Sequence, residues 1–294
     1  MKKKVRPSTI VLLFFALFLV TGCGDDNTLE SVDPANHPEA NGKICDPSTY
    51  DLDCIKGEST AFSDEILDVF GDIKETMVEA QAGDVSDERQ DQYGEVSKKE
   101  VLKEFPLVEG HAKQTLLEGL LHKLLKMRAN PTKIDYNIYV IRSEMVNAFT
   151  VGGEIFVTTK LLDQYGSVDE LACIIGHEIG HNELGHIADQ IKEQELAEDL
   201  FGKEAGRELA NAARMFTIGF NQKKEAESDI YGIDLAISSG YNACRGVDFW
   251  ERMKDLEPEA NEIDNFLRSH PYSEKRMKCY QTHLKAEHKL DCSK

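Results

Sequence analysis

Apolar residues recur at helical spacing in two stretches of this 294-residue chain. A spacing of three or four positions puts such residues on one face of an α-helix, so both stretches are predicted to be helices that contribute to the core. The first stripe consists of Phe62, Ile66, Val69, Phe70, Ile73 and Met77, and the second of Leu116, Leu117, Leu120, Leu121, Leu124 and Leu125. Asn130-Pro131 ends the second helix, because proline cannot continue it.

Strand patterns follow the second helix. Residues 136–141 are rich in β-branched and aromatic side chains and are predicted to form a strand, and residues 153–159 are predicted to form another. The charged residues 187–222 predict a projecting or lid-like helical excursion, after which helical patterns continue toward the C-terminus. The predicted fold class is therefore α+β, a mainly helical domain with a small sheet.

The N-terminal pattern is typical of an export signal. A basic segment, residues 2–6, precedes eleven apolar residues at 10–20, which are too few for a bilayer span of about 20 residues. The sequence Val20-Thr21-Gly22-Cys23 then looks like a bacterial lipobox, so cleavage before Cys23 would leave a lipidated N-terminus. A plain signal peptide with an incidental cysteine is the alternative.

These features divide the chain into three parts: a signal peptide (1–22), a lipidated N-terminus with a flexible polar tether (23–60), and one domain (61–294). We expect an exported bacterial lipoprotein bound to a membrane through Cys23, on the periplasmic side of the outer membrane if the host is Gram-negative. The formal net charge of −19 argues against nucleic acid as a partner.

Seven cysteines include the lipidation candidate, and an exported chain can form disulfides. The short, turn-rich loop between Cys45 and Cys54 favours a bond between them. Cys173 lies in a predicted buried helix and is expected to be a free core thiol. Two of the three C-terminal cysteines are predicted to pair: Cys244, Cys279 and Cys292. Sequence alone does not determine the connectivity.

The most informative polar positions are His177, Glu178 and His181, in the sequence HEIGH. An α-helix brings residues i and i+4 to one face, so both imidazoles can bind one Zn²⁺, and Glu178 can take a proton from the bound water. Residues 168–175 form an apolar stretch with an acidic first turn, which predicts a buried helix. Buried histidines need partners, which one zinc ion per chain would supply.

A catalytic zinc usually has three protein ligands and one position for water. The metzincin arrangement requires glycine at position 184 and histidine at position 187, where this chain has Leu184 and Ile187. Because His186 is a quarter-turn off the ligand face, we expect it either at the surface or supporting a ligand.

A later glutamate is the other source of a third ligand. Glu225 lies 44 residues after His181, and Asp229 follows one turn later. Glu225 could bind zinc while Asp229 accepts the far N–H of a ligand histidine. Glu227 points elsewhere and is the weaker candidate. A solvated helix N-terminus is the alternative, since acidic residues favour that position.

The order of these features resembles the HtpX and CAAX-prenyl-protease family of zinc metallopeptidases, a gluzincin family, and most closely its periplasmic lipoprotein members of the BepA and LoiP type. Four segments across residues 105–285 carry the resemblance: Asn147-Ala148-Phe149 with Gly152-Gly153 and Ile155-Phe156-Val157; Glu170-Leu171-Ala172 before HEIGH; Glu225 and Asp229 with Gly232 and Gly240-Tyr241-Asn242; and Ser269-His270-Pro271 with Arg276. The chain departs from the pattern at Val151, where relatives often have proline.

The resemblance implies a zincin-like metalloprotease domain in which an edge strand of the small sheet faces the active-site cleft. It implies that Glu225 is the third zinc ligand, that His270 gates the metal or acts in catalysis, and that Arg276 lies near the cleft as a candidate oxyanion donor. A peptide can add to an edge strand, so five residues are candidate substrate contacts: Asn147, Ala148, Phe149, Gly152 and Gly153. An ordinary hairpin turn is the alternative for the glycines.

The predicted function is a membrane-anchored zinc endopeptidase in which Glu178 activates the attacking water. Its substrates are polypeptides, and the resemblance implies misfolded or misassembled envelope proteins. One alternative is a chaperone-like lipoprotein whose zinc site His270 keeps shut. Another is a peptidoglycan or small-peptide amidase, which uses the same zinc chemistry.

Overall fold

Helices dominate the architecture. The computed structural model describes residues 46–55, 85–201, 220–255, 270 and 274–292. The helices are α1 (Asp87–Glu104), α2 (Gln114–Leu125), α3 (Thr159–Gln164), α4 (Val168–Glu183), α5 (His186–Phe201), α6 (Gln222–Ser238), α7 (Cys244–Asp255) and α8 (Glu274–Glu287), and the strands are β1 (Asn137–Ile141), β2 (Ala148–Val151) and β3 (Glu154–Thr158). This arrangement confirms the α+β prediction. The first apolar stripe, Cys23 and Cys45 lie outside the described residues.

The three strands form one sheet in the order β1-β3-β2, with β1 parallel and β2 antiparallel to β3. Gly152 and Gly153 connect β2 to β3 with φ values of 51° and 83°, the left-handed region that a tight hairpin turn requires. A Cβ atom on Gly152 would lie 2.1 Å from the Gln90 carbonyl oxygen of α1. The two glycines therefore form a hairpin turn that α1 approaches closely.

Helix α4 lies at the centre of the core and packs against α6, α2, α7 and β2. The leucine stripe of α2 faces it, and Leu117, Leu120 and Leu124 are fully buried. This confirms that the second apolar stripe is core. Every residue of α4 from 170 to 182 is buried, as the apolar sequence before HEIGH predicts.

The crossing of α4 and α6 depends on two glycines. A Cβ atom on Gly232 would lie 2.6 Å from the backbone nitrogen of His177, and one on Gly176 would lie 2.7 Å from the Gly232 carbonyl oxygen. Both distances are shorter than any ordinary contact. Glycine at both positions thus lets the two backbones touch, and this brings side chains of α6 to the ligand face of α4.

Two disulfides link distant segments. Cys244 pairs with Cys292, which confirms that two of the C-terminal cysteines bond, and Cys173 is a buried free thiol. The predicted bond between Cys45 and Cys54 is wrong, because Cys54 pairs with Cys279 of α8. The physical reason is tertiary: the 3₁₀ turn Asp53–Ile55 packs directly on α8, so the nearest thiol comes from 225 residues away.

Helix α5 begins the segment that was expected to project. Its first turns instead pack onto the domain, where Ile187 and Ile191 are buried and Glu195 accepts hydrogen bonds from Arg89 of α1. For these turns the projecting alternative is wrong. Residues 202–219 lie outside the described residues. Within the described ranges, no helix has the length and apolar character needed to cross a membrane.

Candidate metal centre

Local sequence determines where α4 begins and which face carries the motif. Ser167 caps the helix by accepting a hydrogen bond from the Glu170 backbone N–H, and acidic residues occupy the first turn. Two turns later, His177 and His181 lie one above the other on the face toward α6. Their Nε2 atoms are 3.0 Å apart.

Four side chains converge on one point: His177, His181, Glu225 and His270. Carboxylate oxygens of Glu225 lie 3.5 Å from His177 Nε2 and 3.6 Å from His181 Nε2. The Nδ1 atom of His270 lies 3.2 Å from His177 Nε2. Asn221 caps α6, so Glu225 occupies its first turn and enters the cluster from the helix N-terminus.

The donor set fits a zinc ion. Ligand atoms at 2.0–2.1 Å from a tetrahedral zinc lie about 3.3 Å from one another, close to the spacings in this cluster. The Nε2 atoms of His177 and His181 face each other at 3.0 Å, and Glu225 Oε1 is fully buried with no hydrogen-bond partner among the described residues. A cation bound among these atoms would satisfy all of them.

The charges around the cluster also favour a cation. Burial raises the pKa of Glu225, but Arg276, His270 and His177 together outweigh burial and hold the pKa well below its usual range. The pKa of Asp229 is lowered against burial in the same way by Arg276 and by the hydrogen bond to His177. Burial lowers the pKa of His177, yet hydrogen bonds to Asp229 and Glu225 raise it to about 10. Two buried carboxylates thus stay ionised beside the histidines.

Asp229 and Arg276 support the ligands from behind. Asp229 Oδ1 lies 2.9 Å from His177 Nδ1, so it accepts the far N–H of this histidine and leaves Nε2 free to bind a metal. Arg276 donates two hydrogen bonds to Asp229, and its Nη1 lies 3.0 Å from Glu225 Oε2. Arg276 thus lies beside the site and contacts two carboxylates there, the candidate ligand Glu225 and the supporting Asp229.

His181 is supported by residues that sequence reasoning only partly identified. His186 is buried, its Nδ1 lies 3.1 Å from His181 Nδ1, and its Nε2 lies 3.3 Å from Glu227. Of the two positions expected for His186, the one beside a candidate ligand is correct and the one at the surface is wrong. Phe220 stacks on His181 with ring centroids 4.0 Å apart. No sequence signal marks Phe220, because this contact depends on how the chain enters α6.

His270 can bind through Nδ1. Its Nε2 lies 3.2 Å from the Ala148 carbonyl oxygen, which can only accept a hydrogen bond, so Nε2 carries the proton. The lone pair of Nδ1 then points into the cluster, 3.3 Å from Glu225 Oε2. His270 therefore occupies the fourth corner of the site and contacts edge strand β2 at the same time.

Glu178 is buried beside the cluster, 3.5 Å from His270 Nε2. Burial raises the pKa of its carboxyl group above the usual value, and the neighbouring His270 and His177 oppose this shift. A carboxylate with a raised pKa is a better proton acceptor, as a general base requires.

Asn182 fixes the hairpin to α4. Its side chain accepts from the Gly153 backbone N–H and donates to Thr150 Oγ1, so β2 is held beside the helix that carries Glu178. The side chain of Phe149 points away from the site and stacks on Phe156 in the core. Any substrate contact at Phe149 is thus limited to its backbone.

A small apolar recess of about 30 Å³, partly open to solvent, adjoins His177, Glu178 and His270. Its apolar lining comes from the turn of α4 before the motif and from α7 and α8: Cys173, Ile174, Phe249, Trp250 and Tyr280. The recess is much smaller than a ligand pocket, which typically encloses about 300–1,000 Å³.

Comparison with known proteins agrees with this geometry. The profile of Peptidase family M48 matches residues 111–283. The mitochondrial metalloendopeptidase OMA1 of Arabidopsis thaliana is 30% identical over 151 residues, which cover 49% of this chain and 31% of that protein. OMA1 of Schizosaccharomyces pombe is 26% identical over 61% of this chain and 56% of that protein. The beta-barrel assembly-enhancing protease of Escherichia coli is 25% identical over 52% of this chain and 35% of that protein.

These matches cover only part of each relative. The aligned region spans between 31% and 56% of the length of the three proteins. The family profile includes α4 and α6, which carry His177, His181 and Glu225, and most of α8, which carries Arg276. The matched family confirms the resemblance stated from the sequence motifs.

Proposed function

Because this chain belongs to peptidase family M48, a family of metalloproteases, we propose that it is a zinc endopeptidase acting on polypeptides. One observation carries the proposal: His177, His181 and Glu225 converge on one point, with Glu178 beside it. Zinc is the ion that two imidazoles and one carboxylate in a tetrahedral arrangement fit best. One such ion per chain would occupy this centre.

The mechanism follows from what each side chain can do. A bound zinc supplies Lewis acidity, which makes water more acidic and polarises the scissile carbonyl. Glu178 takes the proton of the attacking water and passes it to the leaving amine. Asp229 and Arg276 hold His177 and Glu225 in position, so we assign Arg276 a positioning role rather than that of an oxyanion donor. The buried ion pairs of Arg276 with Glu225 and Asp229 support this assignment.

We propose β2 as the strand to which a substrate backbone adds, with contacts through Asn147, Ala148 and the backbone of Phe149. The edge position of β2 and the bond between Ala148 and His270 support this. Gly152 and Gly153 help indirectly, by shaping the hairpin that holds β2 beside Glu178.

Replacing Glu178 with Gln tests the function. The amide keeps the size of the side chain but cannot accept the proton, so casein cleavage should fall about 10²–10⁴-fold while the zinc content stays at the wild-type level. The exposed Glu109 provides a matched Glu→Gln control that should cleave at the wild-type rate. Cleavage at the wild-type rate by the Glu178→Gln variant would rule out this role for Glu178.

A second function is favoured by the position of His270 at the fourth corner of the site. If His270 stays bound to zinc, the site is shut and the chain would act as a chaperone-like lipoprotein. The variant His270→Ala separates the two in the same casein assay. Activity should rise several-fold if His270 gates the metal, and fall if His270 stabilises the oxyanion. Inactivity of both wild type and His270→Ala, with zinc bound, would favour the chaperone-like function.

We also propose an export signal at 1–22, a lipid anchor at Cys23, and a role in quality control of envelope proteins at the outer membrane of a Gram-negative host. Support comes from the N-terminal sequence and from the relatives named beta-barrel assembly-enhancing protease. The mitochondrial relatives show that the same domain serves other compartments. Incorporation of labelled palmitate, lost in Cys23→Ser, tests the anchor.

A further inference from the structure

A second cluster of metal-ligating side chains lies between α6 and the end of α8, and consists of Asp234, His283 and His288. All three are buried, with 1%, 7% and 7% of their surfaces exposed. His283 Nε2 and His288 Nε2 each lie 2.7 Å from the same oxygen, Oδ1 of Asp234. The proposed endopeptidase mechanism uses none of them.

The chain is built so that the two imidazoles meet. Residues five apart on a continuous helix point in different directions, so His283 and His288 would diverge if α8 continued. Instead α8 ends at Glu287, and Lys289 takes the left-handed conformation with φ 58°. The Leu284 carbonyl accepts hydrogen bonds from both His288 N and Leu290 N, which closes this turn. His288 thus closes the helix, and its ring reaches the same Asp234 oxygen as the ring of His283.

We propose that Asp234, His283 and His288 form a second metal site, which binds a structural Zn²⁺ or a similar borderline divalent cation. Two imidazoles and one carboxylate are the same donor set as in the first centre. A metal ion could lie about 2.0–2.1 Å from each of the three ligand atoms. The spacing of 2.7 Å between Asp234 Oδ1 and each Nε2 then gives oxygen–metal–nitrogen angles nearer to the octahedral than to the tetrahedral value. Water would complete its coordination.

The second site is separate from the first. Asp234 follows Glu225 by nine residues on α6, which is about 13 Å along the helix axis. A metal there would fasten α6 to α8. These are the helices that Arg276 joins beside the first centre, through its bonds to Asp229. The ion would therefore act in the fold, by holding in place the helix that carries Arg276.

Metal stoichiometry tests this inference on the full chain, dialysed against buffered free Zn²⁺ and measured by mass spectrometry. Wild type should hold two zinc ions per chain, and His283→Gln or His288→Gln should hold one. The exposed His122 of α2 gives a matched control, since His122→Gln should keep two. A single zinc ion in wild type would overturn the proposal and leave the three side chains as a hydrogen-bonded clip.

A second measurement avoids variants that fail to fold at the second site. The double variant His177→Gln and His181→Gln removes the first centre and leaves the second intact. Its unfolding temperature should rise about 5–10 °C when free zinc is about 100-fold above the Kd. No rise would also overturn the proposal. Because this variant has no catalytic centre, the result is independent of whether the chain is a protease.

Discussion

Asp229 illustrates how much a single carboxylate contributes at the residue scale. It accepts the Nδ1–H of His177 on one side and two N–H groups of Arg276 on the other. The first contact sets the tautomer that presents Nε2 to a metal, and the second compensates the buried charge of Asp229 itself. The ligand geometry therefore depends on a residue that does not bind the metal.

We expect Asp229→Asn to lower zinc affinity about 10–100-fold, because the neutral amide orients His177 less strongly and leaves Arg276 poorly paired. Competition with a fluorescent zinc chelator measures the change. At saturating zinc, casein cleavage should recover much of the wild-type rate. The exposed Asp163 of α3 supplies the control, and Asp163→Asn should bind zinc as wild type does. Equal affinities for the two variants would contradict the role given to Asp229.

Sequence predicts side chains whose relation is local. The pairs His177 with His181 and Glu225 with Asp229 lie one helical turn apart, so periodicity alone places each pair on one face. The approach of His270 and Arg276 rested on family resemblance, since no spacing connects them to the motif. Three further contacts depend on how separate segments meet and were identified only in part or not at all: His186, Asn182 and Phe220.

At the scale of elements, the crossing of α4 and α6 determines whether the site can form. Gly232→Ala should therefore destabilise the domain, even though alanine favours helix by about 1 kcal/mol over glycine. Its Cβ would meet the His177 backbone at 2.6 Å, and separating two packed helices costs about 1–3 kcal/mol or more. We expect a lower unfolding temperature together with weaker zinc binding.

Gly119 of α2 is the matched control for this prediction. A Cβ atom there would have no neighbour within 4 Å, so Gly119→Ala should leave stability unchanged or raise it by up to about 1 kcal/mol. Thermal unfolding of both variants with and without zinc makes the comparison. If the Gly232→Ala variant were as stable as the Gly119→Ala variant, the close crossing of α4 and α6 would not be needed to position Glu225.

The elements themselves were largely predictable, and their arrangement was not. Residues 136–141 and 153–159 have strand composition, and the structure has β1 and β3 within one residue of those bounds. Nothing in these residues indicates that β1 pairs parallel with β3 or that β2 lies at the edge. Parallel pairing needs a crossover, whose direction is set by the packing of helices around the sheet.

At the scale of the whole molecule, two disulfides join the ends of the described chain to its core. Cys54–Cys279 fastens the 3₁₀ turn at 53–55 to α8, and Cys244–Cys292 fastens the segment after α8 to α7. The N-terminal signal pattern predicted an exported, disulfide-permissive chain, but the sequence did not indicate which thiols meet. Both bonds fasten α8 or the segment directly after it, which carry Arg276, His283 and His288.

We expect loss of either disulfide to lower the free energy of unfolding by about 2–5 kcal/mol, because each bond restricts the unfolded chain. The loss should be larger for Cys54→Ser with Cys279→Ser, whose bond spans 225 residues, than for Cys244→Ser with Cys292→Ser, whose bond spans 48. Thermal unfolding should show decreases of about 5–15 °C. Adding a thiol reductant should lower the unfolding temperature of the wild-type protein to that of the variants or below it. The prediction would be contradicted if the wild-type protein unfolded at the same temperature with and without reductant. In that case the ion pairs and metal-ligating side chains of α8, rather than the disulfides, would stabilise its position.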